Sequence, residues 1–166
     1  MKICMLGAGA LGSTIGATLA EAGNDVCLVN HNQAHVDAIN RNGLIVRRDG
    51  MDRTVTIPAF TGTETLSPVD LIVILVKSAQ TSAAIASARN IVAPHTTVMS
   101  VQNGLGHEDE LSDAVGRASV VAGKTYVGGV LLGPGHVLAE TRGRETIIGE
   151  LDGSTGPRIQ TIAETF

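Results

Sequence analysis

The sequence predicts an α/β fold built on a doubly wound, mainly parallel sheet with an antiparallel C-terminal extension. Three observations point there. Short apolar runs alternate with helical patterns from the N-terminus onward. One run, Leu71-Ile72-Val73-Ile74-Leu75-Val76, is apolar at every position, so both of its faces must be covered, as in a central parallel strand. A glycine-rich corner, Gly7 to Gly12, joins the first run directly to the first helix.

In chain order, Lys2 to Leu6 reads as a buried strand ending at Gly7. Ala10 to Ala22 reads as a helix, because Leu11, Ile15, Leu19 and Ala22 fall on one face; Gly23 closes it as a residue able to turn left-handed. Asp25 to Val29 is the second strand and Gln33 to Asn42 the second helix, with Val36 and Ile39 inward and Gly43 as its stop. A third strand begins at Leu44, and Asp49-Gly50 suits a tight hairpin turn into a returning strand at Thr54 to Ile57. The all-apolar run follows, then an Ala-rich helix over Thr81 to Asn90, a strand over Thr96 to Val101 and a short helix over Glu108 to Val115. Ser119 to Val121, Thr125 to Leu132, Val137 to Thr141 and Thr146 to Ile148 then read as strands of an antiparallel tail, with Gly133-Pro134-Gly135 as its clearest turn. Residues 1–151 are thus expected to form one domain. Residues 152–166 read as a linker, Asp152 to Pro157, and the start of a helix.

Composition narrows the function. Hydrophobic residues are 43% and charged residues 17%, which excludes a disordered chain. Aromatic residues are 2% and the net charge is −4, so stacking platforms for nucleic acid are nearly absent and no basic footprint is visible. Ile3 to Ala20 is uncharged and superficially like a secretory signal, but Gly7, Gly9, Gly12 and Gly16 interrupt it; strand, turn and helix explain those glycines better. No other stretch approaches a membrane span, and a cytoplasmic protein is expected. Cys4 and Cys27 each sit in an apolar run and read as buried, reduced thiols; a disulfide is possible if the two runs pair.

Gly7-Ala8-Gly9-Ala10-Leu11-Gly12 matches GxGxxG in the strand-to-helix context that gives this pattern meaning, which makes the fold Rossmann-type. Gly7 permits the tight turn, Gly9 lets a pyrophosphate approach bare backbone, and Gly12 lets the helix lie close to the strand. The helix N-terminus offers free amides and partial positive charge to the anion. At the end of the second strand, where an NAD site commonly carries an acid, stands Asn30-His31-Asn32. Asn30 and His31 could donate to a 2′-phosphate that meets no carboxylate, which favours NADP (NADPH) over NAD. Arg47 and Arg48 read as a solvated hairpin edge, with reach toward that phosphate as the alternative. Lys77 and Gln102-Asn103-Gly104 follow strands directly and fall on the ligand edge of the sheet. Lys77 offers a point charge to phosphate or ribose, and Asn103 a donor and acceptor near the nicotinamide; the alternatives are a surface lysine and a turn residue. His31, His35, His95, His107 and His136 form no metal-ligand pattern, and no serine sits in a nucleophile elbow, so no metal and no catalytic residue is assigned.

These features together resemble the N-terminal domain of the ketopantoate reductases. The resemblance is carried by Lys2-Ile3 through Gly12, Val76-Lys77, Gln102-Asn103-Gly104-Leu105-Gly106, Gly133-Pro134-Gly135 and Ile148-Gly149-Glu150-Leu151, in order across about the first 151 residues. It implies NADPH-dependent reduction of ketopantoate to pantoate, on the route to pantothenate and coenzyme A. It also implies that Gly7 to Gly12 hold the pyrophosphate, that Lys77 and Asn103 touch the cofactor, that Asn103 borders the 2-oxo acid substrate, and that Gly129 lies beside the nicotinamide. Where the family usually has an arginine near His31, this sequence has none. The family's general-acid lysine and most of its substrate contacts belong to a helical C-terminal domain, which this chain does not reach; Lys124 matches no catalytic position and reads as solvated. Two rivals remain: a related opine or 2-hydroxy-acid dehydrogenase domain, and a stand-alone NAD(P)-sensing module.

Overall fold

A computed structural model describes residues 1–166. Eleven strands form two sheets, with five α-helices around them. β1 (Lys2–Leu6), β2 (Asp25–Val29), β5 (Ala59–Phe60), β6 (Leu71–Ile74), β7 (Thr97–Ser100), β8 (Val120–Thr125) and β11 (Thr146–Glu150) make a seven-stranded sheet in the order β11-β8-β7-β6-β1-β2-β5. All neighbours in it are parallel except β11 against β8. The all-apolar run is the middle strand, β6, as its pattern predicts, and it shows why two apolar faces are needed. Leu71 and Val73 enter one core cluster with Ile3 and Met5, while Ile72 and Ile74 enter the other with Cys4 and Leu6. Each strand is thus shared by the two cores, residue by alternate residue.

α1 (Ala10–Glu21) and α2 (Gln33–Asn42) connect the first strands. Gly23 and Gly43 both have positive φ at or just beyond the helix ends, as expected. α1 lies so close to the sheet that a Cβ on Gly16 would stand 2.7 Å from the Leu28 side chain. α3 (Thr81–Ser87) is shorter than the expected Thr81–Asn90 helix, because the chain tightens into a 3₁₀ turn at Arg89–Ile91. α4 (His107–Val115) crosses over from β7 to β8.

The structure departs from expectation in where the hairpin and the tail go. β3 (Leu44–Arg48) and β4 (Met51–Val55) form the Asp49-Gly50 hairpin, with Arg48 opposite Met51. Pairing resumes at once after the two-residue turn, so β4 begins earlier than the expected Thr54. This hairpin is not the third strand of the main sheet. It joins β9 (Gly128–Gly133) and β10 (His136–Glu140) in a second sheet, ordered β4-β3-β10-β9. The edge beside β2 is taken instead by β5, two residues that carry no readable periodicity. The tail is also divided. β8 extends the parallel set, running alongside β7 with Val98 opposite Val120; β9 and β10 serve the second sheet; only β11 is antiparallel in the first.

After a turn at Asp152 to Ser154, α5 (Pro157–Thr165) begins with proline at its first position and packs back on β11. Ile159 and Ile162 join the larger core cluster, and Arg158 pairs with Glu150. Arg47 pairs with Asp52 on the exposed hairpin, and Arg48 pairs with Glu21 and donates to Thr18 Oγ1 on α1, so neither arginine stands at the end of β2. Cys4 and Cys27 face one another in parallel register, buried and free, with Cys4 held above the usual thiol range by its hydrogen bond with Cys27 and by burial.

Candidate functional site

The carboxyl ends of β1, β2, β6, β7 and β8 share one edge of the main sheet. The corner after β1 is built from backbone. Gly7 has φ +103°, and a Cβ there would collide with the Val76 amide nitrogen. A Cβ on Gly12 would lie 2.7 Å from the Gly7 carbonyl oxygen, so α1 rests directly on the turn. A Cβ on Gly9 would meet nothing within 4 Å, which leaves that face of the corner open to a ligand. The Gly7 and Ala8 amides donate to the Val29 carbonyl at 3.0 and 2.8 Å, and the first helical bond runs from the Ser13 amide to the Gly9 carbonyl. The amides of Ala10, Leu11 and Gly12 therefore precede the helical ladder. No side chain caps α1 and no acid occupies its first turn. An uncapped N-terminus with an open glycine face suits a pyrophosphate, and the residues present fit a dinucleotide.

Three clefts follow this edge in sequence. The first, about 450 Å³, is lined by Gly7, Gly9, Asn30, His31, Lys77 and the Thr61-Gly62-Thr63 loop, among others. The second, about 330 Å³, runs from Leu11 and Lys77 to Gln102 and Asn103. The third, about 470 Å³, is bounded by Asn103, Gly104, Leu105, Glu108, Lys124 and Ile147. Lys77 lines the first two and Asn103 the last two, so neighbouring clefts share a wall residue. The Lys77 ammonium is exposed and has no carboxylate partner, and the Asn103 carboxamide makes no hydrogen bond within the chain. Both groups are available to a ligand.

Supports hold these groups. The Gln102 side chain donates to the Val76 carbonyl at 2.6 Å and accepts from Ser100 Oγ at 3.0 Å, tying the ends of β6 and β7 together. His107, buried at the start of α4, donates through Nε2 to the Asn103 carbonyl at 3.1 Å. Leu105 is 98% exposed at the rim of the third cleft, and the Lys124 ammonium stands 4.9 Å from the Tyr126 ring centroid there.

Two expected roles change on inspection. Asn30 lines the first cleft, but its amide donates to the Ala8 carbonyl at 2.8 Å and its oxygen accepts from the Asn32 amide. Its side chain braces the corner instead of reaching outward, and His31 is the exposed group at that end. Gly129 lines none of the three clefts. A Cβ there would sit 2.6 Å from Thr14 Oγ1 and 2.9 Å from the Ala10 carbonyl, so its smallness lets β9 press on the first turn of α1. Ala8 is buried beneath the corner, while Ala10 and Leu11 open the helix. Sequence reading missed the Thr61-Gly62-Thr63 wall, because it follows the unreadable β5, and missed His35, which lies beside the inward positions Val36 and Ile39.

The fold and this edge define a Rossmann-type domain with an open glycine corner beside a cleft. Residues 3–153 match the family described as Ketopantoate reductase PanE/ApbA, and the chain belongs to that family. It is 39% identical to the 2-dehydropantoate 2-reductase of Pyrococcus horikoshii, over the whole of this chain and 53% of that protein. Among solved structures, it is similar to 2-dehydropantoate 2-reductase from Geobacter metallireducens, with 29% identity, TM-score 0.90, 99% of this chain and 54% of the other covered. It is also similar to D-mandelate dehydrogenase solved with NADH and anilino(oxo)acetate, with 28% identity, TM-score 0.92, 99% and 53% covered. The chain spans about half the length of the relatives it matches. No helix is long and apolar enough to cross a membrane.

Proposed function

We propose that this chain is the cofactor-binding half of an NADPH-dependent reductase that converts ketopantoate to pantoate in pantothenate and coenzyme A biosynthesis. The observation that carries the reading is the row of adjacent clefts along one sheet edge, from the uncapped start of α1, past the unpaired Lys77, to the free carboxamide of Asn103. When bound, the nicotinamide would supply hydride to the carbonyl carbon of the 2-oxo acid. The chain's own residues would bind and orient. The free amides of Ala10, Leu11 and Gly12 would hold the pyrophosphate, Lys77 would offset phosphate or ribose charge, and Asn103 would face the meeting point of nicotinamide and substrate. The preference for NADPH rests on the lack of any acid at the end of β2 and on exposed His31 as a donor there.

Calorimetric titration of the chain with NADPH and NADH tests this. Tighter binding of NADPH is expected, and a large preference for NADH would discard the cofactor assignment. Protonation of the developing alkoxide needs a positioned acid, and the chain alone is expected to reduce ketopantoate no faster than blank. A second reading, a 2-hydroxy-acid dehydrogenase of other specificity, draws on the likeness to D-mandelate dehydrogenase. Turnover of a panel of 2-oxo acids by the full-length protein separates the two.

A further inference from the structure

His35 is a buried, ionisable side chain that no step above uses. It sits on α2 between three other elements. The Gly135 amide, in the turn between β9 and β10, donates to its Nδ1 at 3.0 Å. Its Nε2 lies 3.3 Å from Ser13 Oγ on α1, and Ser13 Oγ donates to the Ala8 carbonyl at 3.0 Å. The proton positions follow from which groups can only donate. A backbone amide cannot accept, so Nδ1 must be bare. The ring then carries its proton on Nε2 and donates it to Ser13, whose own hydrogen goes to Ala8. The chain Gly135 to His35 to Ser13 to Ala8 therefore runs in one direction only.

Its end point is the corner that would hold the dinucleotide. The Ala8 carbonyl receives two donors, Ser13 Oγ and Asn30 Nδ2 at 2.8 Å. Because a peptide is planar, fixing that oxygen fixes the whole Ala8–Gly9 plane and hence the path from Gly7 into α1. The groups hydrogen-bonded around the ring are Ser13, the Ala8 region and the Gly135 main chain, none of them ionisable. The ionisable groups nearby in sequence are engaged elsewhere or exposed: Asp37 accepts from Gln33, His136 contacts Asp52, and His31 faces the first cleft. Burial accordingly holds His35 below the ordinary histidine range, in the neutral form this arrangement needs.

We propose that neutral His35, protonated at Nε2, is a positioning residue for dinucleotide binding: through Ser13 it pins the Ala8–Gly9 peptide, and through Gly135 it fastens that corner to the second sheet. This rests on the dinucleotide reading above. Three variants separate its two contacts. Ser13→Ala and His35→Asn both break the link to Ala8, the second while keeping an acceptor near Gly135; each is expected to weaken NADPH binding about fivefold. His35→Gln keeps a donor toward Ser13 and is expected to retain most of the affinity. Nitrogen NMR of the labelled imidazole should show Nε2 protonated and Nδ1 bare at pH 7. Wild-type affinity in both Ser13→Ala and His35→Asn, or a ring protonated at Nδ1, overturns the proposal while leaving the dinucleotide site standing. A wild-type chain that binds neither NADPH nor NADH overturns the dinucleotide reading itself, and this proposal with it.

Discussion

Gly12 lies directly over Gly7, close enough that a Cβ on Gly12 would stand 2.7 Å from the Gly7 carbonyl oxygen, whereas Gly9, between them, faces open space. Adding a methyl at each position should therefore separate folding from binding. Gly12→Ala is expected to cost about 1–3 kcal/mol in denaturant unfolding, through overpacking of α1 on the turn. Gly9→Ala should stay within about 0.5 kcal/mol of the parent, since nothing in the chain is struck. It should nevertheless weaken NADPH at least about tenfold, because the methyl would occupy the approach to the backbone. Equal affinity in Gly9→Ala and the parent chain would remove the pyrophosphate from this corner.

Lys77 lines two of the three clefts and has no carboxylate partner, so its removal leaves no buried charge behind. Lys77→Ala should leave the melting temperature nearly unchanged. Its NADPH affinity should fall about tenfold and lose part of its dependence on salt. A binding isotherm that is insensitive to this change would make Lys77 an ordinary surface residue.

Asn30 braces the corner by donating to Ala8, and an aspartate of the same shape cannot donate. Asn30→Asp is expected to destabilise the chain by about 1–3 kcal/mol and to weaken NADPH more than NADH. The first effect follows from the lost bond and the second from a carboxylate beside a 2′-phosphate. Unfolding curves and parallel titrations with the two cofactors measure both.

His35 sets an expected pH dependence. Its proton affinity is lower in the folded chain than in the unfolded one, because burial disfavours the cation. The unfolded state therefore binds the proton first as pH drops below about 6.5. Stability from this group is complete above that pH and is lost progressively below it, down to the folded-state value. His35→Gln should flatten this limb of the stability profile, and an unchanged limb would assign it to other groups.

The glycine corner was more legible in the sequence than the sheet arrangement was. Gly7 and Gly12 were readable because each meets a steric demand within the chain that only glycine satisfies, whereas at Gly9 a Cβ would strike nothing. Lys77 stands out because it directly follows an apolar run, and Asn103 because it lies in the Gln102-Asn103-Gly104 turn just after a strand. Hairpin formation at Asp49-Gly50 was equally readable, but its partner was not. β3 pairs with β10, about ninety residues later, and nothing local to either strand encodes that contact. β5 consists of Ala59 and Phe60, too short for any period to show. The bracing of Asn30 onto Ala8 and the buried link through His35 depend on neighbours that meet only after folding.

That long-range pairing has a consequence for the order of assembly. The β3–β4 hairpin can close as soon as its turn is made, but one flank stays unpaired until His136 to Leu138 emerge and lie against Ile45 to Arg47. Such a distant contact raises the chain's contact order and delays the final docking step. The same β9–β10 turn delivers the Gly135 amide to His35. A ribosome-bound chain arrested before that turn would therefore hold a formed GxGxxG loop whose fastening to the second sheet is still to come.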